Sequence, residues 1–189
     1  MILPFSFLEC TSPVALIANL PDSSLTADSF TQSDTNDNHS PIHSRLHNTD
    51  TGIGAWQSGN NAEPWIQADL LNVYHISAVA TQGRGIGIHE QWVTEYTLSY
   101  GFSASALQNV LDEAGNTNVF SGNSERFNVV MNSFFPVRAQ IMRLIPTGFN
   151  GAPTLRWELY GCITGTNYLL LITCNYLLRQ LQETVSKNV

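Results

Sequence analysis

Three histidines, His39, His43 and His47, stand four residues apart, a spacing that on a helix gathers ligands for a metal. No glutamate lies between them to serve as a base, and Pro41 confines any helix to the residues after it. Only His43 and His47 then share a face, so the stretch reads as a short exposed helical turn with incidental histidines. Nucleophilic chemistry has no better footing: the chain lacks a Gly-x-Ser-x-Gly elbow and a cysteine–histidine pair of known spacing. The glycines around Arg84 resemble a phosphate loop only superficially. They run from strand to strand, and so present no helix N-terminus to an anion. Hard-cation chemistry is better supplied. Asn48 and Asp50, in the turn that leads to Trp56, offer the oxygens calcium prefers, with Asp34 and Asp37 as a second choice. No residue is assigned a catalytic role, and the chain reads as no enzyme.

The elements that must carry these groups are strands. Trp65 to Leu70, His75 to Thr81 and Trp92 to Tyr100 each alternate apolar and polar residues and favour strand-forming types. Between the last two, Gly83-Arg84-Gly85-Ile86-Gly87-Ile88-His89 has too many glycines for a strand and is expected to be a loop, with two bare isoleucines. Phe127 to Met131, Gln140 to Ile145 and Thr154 to Tyr160 read as further strands, with Phe134 to Val137 between the first two. Polar Gln32 to Ser40, Gly59 to Pro64 and Pro146 to Pro153 read as loops. Ser40 and Pro41 suit the cap and first position of a helical turn. Short strands at regular spacing point to an all-β sandwich or jelly roll.

Composition narrows the partners. The 189 residues carry a net charge of −7. The stretch from Cys10 to Cys162, with six arginines, no lysine and 13 acidic residues, accounts for all of that charge. Counterion release needs clustered basic residues, so nucleic acid is excluded as a partner. Charged residues make up 12%, about half the usual share. The polar surface is therefore built from Ser, Thr, Asn and Gln, which suits an extracellular protein. Cys10 and Cys162 bracket everything that looks folded. Paired, they close a loop worth up to about 5 kcal/mol by the chain-entropy argument; unpaired, they are two buried thiols. Cys174 is left over.

Several segments carry a further signal. Trp65-Ile66-Gln67-Ala68-Asp69-Leu70, Ala80-Thr81-Gln82-Gly83-Arg84, Gln91-Trp92-Val93-Thr94-Glu95-Tyr96, Val119-Phe120-Ser121-Gly122-Asn123 and Leu155-Arg156-Trp157-Glu158-Leu159-Tyr160-Gly161-Cys162 resemble, in order, motifs of the discoidin or coagulation-factor type C domain. The resemblance spans Cys10 to Cys162. It implies an eight-stranded antiparallel jelly-roll β-sandwich of the galactose-binding-like class, closed by a Cys10–Cys162 disulfide. It also implies a secreted or cell-surface adhesion module that binds carbohydrate or glycoprotein, or alternatively membrane phospholipid, through three loops at one end. The tips of those loops are Asn36, Asp37 and Asn38; Ile86, Ile88 and His89, backed by Arg84; and Phe149 and Asn150. Relatives in the wider fold hold a structural calcium near the Asn48–Asp50 loop. Asn38-His39-Ser40 is a glycosylation sequon. Residues 1–9 read as the remnant of a signal peptide, and residues 163–189 as a tail outside the domain with a short amphipathic helix.

Overall fold

The computed structural model describes residue 10, residues 12–31 and residues 38–163. Nine strand segments occur among them: β1 (Val14–Ala15), β2 (Leu25–Ala27), β3 (Trp56–Gln57), β4 (Ile66–Gln82), β5 (Trp92–Gly101), β6 (Gln108–Asn109), β7 (Val119–Ser121), β8 (Val130–Asn150) and β9 (Thr154–Ile163). All strand pairings are antiparallel. Two 3-10 turns, Asp22–Ser24 and Pro41–His43, are the only helical elements described. The expected antiparallel jelly-roll sandwich is the architecture. Tail residues 164–189, with Cys174 and the expected helix, and residues 1–9 lie outside the described residues.

The two layers share two long strands. Residues 66–69 of β4 pair with residues 141–144 of β8, whereas residues 74–81 of β4 pair with residues 130–139 of β8. One layer therefore holds β2, the first part of β4, the last part of β8, and β5 with β6 and β7. The other holds the rest of β4 and β8 together with β9 and β1. The sequence suggested separate strands where the chain makes single bent ones. In β4 the bend falls at Leu71, which takes φ 62 and donates its N–H to the Asp69 carboxylate at 2.8 Å. In β8 it falls opposite, near Gln140, and a second irregularity follows at Phe134 to Pro136, where the ladder to β4 slips between Ile76 and Ala78. Proline has no N–H for a ladder and belongs at such irregularities. Pro146, expected in a loop, also sits in β8 beside a register slip, opposite Tyr96. The loop after it contracts to a tight turn at residues 151–153.

Between the layers lie Trp56, Ile66, Tyr96, Leu98, Leu144, Leu155, Trp157 and Leu159, all fully buried. Each such aliphatic side chain contributes roughly 1.5–3 kcal/mol of burial. Tyr96 stacks on Phe120 at 5.5 Å, and its hydroxyl accepts from Asn132 Nδ2 at 3.0 Å, joining the two layers. Burial holds the Tyr96 phenol up at about 12. Cys10 and Cys162 are bonded, with Cα atoms 5.5 Å apart, tying the chain's start to the end of β9.

Candidate functional site

The β4–β5 loop, the β8–β9 turn and the turns near residues 48–54 and 123–128 meet at one end of the sandwich. The β4–β5 loop leans on its neighbours through its backbone. The N–H of Gly83 donates to Arg126 O at 3.0 Å, and that of Ile86 to Ile53 O at 2.9 Å. Two glycines make this possible. A Cβ on Gly85 would stand 2.5 Å from the carbonyl oxygen of Asn48, and Gly87 takes φ +90. The glycine-rich sequence is thus explained by close packing and a left-handed turn, without a phosphate.

Three buried arginines lock this end. Arg156, 2% exposed, donates Nε to Gly83 O at 2.8 Å, Nη1 to Asn48 O at 3.2 Å and Nη2 to Arg126 O at 2.9 Å. Arg126 donates Nε to Arg84 O at 3.1 Å and pairs with the exposed Glu90 at 3.2 Å. Arg84 donates Nε to Ile86 O at 2.7 Å and Nη1 to Gln91 Oε1 at 2.8 Å. Burial first, then the neighbouring Arg126 charge, lowers the Arg156 guanidinium to about 10, still charged at neutral pH. Guanidinium-to-carbonyl bonds are the charge-assisted kind, about twice as strong as neutral ones. Arg126 and Arg156 were not singled out as site residues by sequence reasoning. For Arg156 the signal was an arginine inside an otherwise apolar strand, where only a paired or hydrogen-bonded charge is tolerated; Arg126, in a turn, carried none.

The expected loop-tip residues fall as follows. Ile88 is 88% exposed, His89 is exposed, and Ile86 is half-buried against Gly54. Asn150 is exposed and donates Nδ2 to Glu90 O at 2.6 Å, which clips the β8–β9 turn to the β4–β5 loop. Phe149 beside it is half-buried. Arg84 is 5% exposed, so its charge faces the loop's own oxygens. Asn38 is half-buried, and its Oδ1 accepts from the Ser40 N–H at 2.9 Å. Asn36 and Asp37, like Asp34, lie outside the described residues.

The histidines do not converge. His43 is buried, with Nδ1 2.8 Å from Thr51 Oγ1, and burial lowers its pKa. His39 bonds Thr31, and His47 takes φ 66 with its N–H on Gln82. Among the described residues no group of three His, Cys, Asp or Glu side chains assembles as metal ligands. Asn48 and Asp50 close a turn on each other, Asp50 N–H to Asn48 Oδ1 at 3.2 Å. The Asn48 carbonyl, an oxygen calcium would want, already accepts from Arg156.

The fold is a jelly-roll sandwich with braced loops at one end, and the chain belongs to the F5/8 type C domain family, whose model matches residues 29–159. Coagulation factor V of Sus scrofa is 32% identical over 157 residues, 81% of this chain but 7% of that protein. Human retinoschisin is 36% identical over 118 residues, 60% of this chain and 51% of that protein. The chain therefore spans only part of these relatives. Discoidin II from Dictyostelium discoideum superposes with a TM-score of 0.68 at 26% identity, covering 82% of this chain and 60% of that one. A family 32 carbohydrate-binding module of Clostridium perfringens, solved with galactose, shares the fold at TM-score 0.52 and 17% identity, over 79% of this chain and 99% of that one.

Proposed function

We propose that this chain is a non-catalytic extracellular recognition module for carbohydrate or glycoprotein in cell adhesion, acting through the braced loop end. The observation that carries the reading is the clip between Asn150 and the Glu90 carbonyl. It holds the exposed Asn150 amide against the loop that carries the exposed His89, with the half-buried Phe149 preceding it in the strand. Amides and an imidazole beside an aromatic ring are the groups that bind sugar hydroxyls and the apolar face of a pyranose. The three arginines here are all turned into the protein, with Asp50 and Glu90 exposed and Glu125 half-buried around them. That balance disfavours an anionic membrane. The disulfide suits an oxidising compartment and a secreted or cell-surface location.

Ile88, 88% exposed, supports the second reading, insertion of the loop tip into a phospholipid surface. A glycan array with the protein in calcium and again in EDTA tests the first. Binding that Asn150→Ala weakens at least tenfold while Ile88→Ser leaves it intact supports the sugar reading. A hit lost in EDTA places calcium near Asn48 and Asp50. No glycan bound, with liposome binding abolished by Ile88→Ser, transfers the function to the membrane.

A further inference from the structure

Beside the loop end, on the outer face of the layer that contains β5, lies an open groove of about 520 Å³. It runs between the turn at residues 61–65 and the β8 side chains Arg143, Ile145, Thr147 and Phe149. Arg143 is fixed in it. Its guanidinium lies 4.2 Å from the Trp65 ring centroid, and Nε and Nη2 both donate to Gln67 Oε1, at 3.1 and 2.8 Å. Gln67 is itself buried. These bonds leave Nη1 to the groove.

Among the described residues no carboxylate lies within ion-pair distance of Arg143. Among the described residues the arginine–carboxylate pairs are Arg45 with Asp22 and Arg126 with Glu90. The chain has 15 acidic residues against 8 basic ones, so acids are not scarce. A partly desolvated guanidinium without a counterion is costly, and burial does lower the pKa of Arg143. An incoming carboxylate would offset that cost. The planar fork of arginine, preset by Trp65 and Gln67, suits one. The groove's size falls within the roughly 300–1,000 Å³ of ordinary ligand sites. Its other walls, the ring of Phe149 and the side chain of Ile145, offer flat apolar surface to a sugar ring, with the Thr147 hydroxyl and Asn61 beside them.

We infer that the Arg143 groove is a subsite for a carboxylate-bearing sugar, a sialic or uronic acid residue, next to the loop end. This rests on the carbohydrate reading and names the class of sugar. The exposed Glu63 stands on the groove's rim and opposes the ligand's charge, which makes its removal a sharp probe.

The test is titration of the whole chain with sialyllactose and a glucuronic acid disaccharide, each beside its neutral methyl ester, and with lactose, followed at the Trp65 indole N–H resonance. The acids are expected to shift that resonance and to bind at least tenfold more tightly than their esters. Glu63→Gln should tighten acid binding severalfold without touching the core, and Arg143→Met should abolish the preference. Asn150→Ala should leave the preference in place. Equal binding of acid and ester, an unmoved Trp65 resonance, or weaker acid binding by Glu63→Gln overturns the proposal. Lactose binding that depends on Asn150, without acid preference, removes the groove and keeps the loop-end reading. No sugar bound at all removes both.

Discussion

The two ends of the sandwich are held by different chemistry. At the loop end, Arg156 and Arg126 bridge backbone carbonyls of turns far apart in sequence, and Arg84 braces its own loop. At the other end the longest-range tie among the described residues is covalent, beside a bond from Gln140 Nε2 to Asp69 Oδ1. Cys162 lies opposite His75 in the β4–β9 ladder, well away from the Gln82–Arg156 pair, and its bond to Cys10 spans a sequence separation of 152. The remaining turns there are held locally, as where Asp112 accepts from the N–H groups of Ala114 and Asn116. A surface that must present exposed groups in register needs its loops fixed to one another. An end that only closes the chain needs a single tie.

Breaking each clamp separates these roles. Reduction of the disulfide, or Cys162→Ser, is expected to have the largest effect on stability, up to about 5 kcal/mol, and to lower the melting temperature by roughly 10 °C or more. Glycan binding at a temperature where the reduced protein is still folded should be unchanged. Equal loss of both would show that the ends are not independent. Arg156→Met leaves three carbonyls without their donor and is expected to cost about 3 kcal/mol. Here binding should fall more than the melting temperature, because the β4–β5 loop loses its anchor. Calorimetry and glycan titration on one sample decide it.

The smallest effect lies between the ends and should touch both alike. The Tyr96 phenol is raised to about 12 in the folded protein, against 10.0 when free. Its stabilising contribution is complete below pH 10 and is lost as pH rises through the folded value, because the unfolded chain ionises first. The rise from 10.0 to about 12 corresponds to roughly 2–3 kcal/mol lost across that window. Tyr96→Phe should flatten this decline in alkaline urea titrations; an unaltered slope would place the titrating group elsewhere.

Much of this was legible in the chain. Alternation marked the strands, and motif order from Trp65 to Cys162 pointed to the family, because both are local patterns. The glycines around Arg84 announced a loop. What sequence reading divided into separate strands, the fold joins, since an αL residue at Leu71 and a slip at Phe134 to Pro136 distort a strand without ending it. Asn48 and Asp50 read as candidate calcium ligands because their oxygens are of the right type. Whether an oxygen is already taken depends on Arg156, 108 residues away from Asn48.

The sequence by itself determined the sandwich, its family and the acidic, lysine-free character of the stretch from Cys10 to Cys162, since periodicity, residue type and charge need no partners to be read. Only the tertiary structure decided that Arg84 braces the loop it belongs to, that Ile88 stands out while Ile86 does not, and that Arg143 lies over Trp65 without an ion pair among the described residues. Burial and charge compensation are properties of what surrounds a group, and those surroundings come from strands distant in the chain.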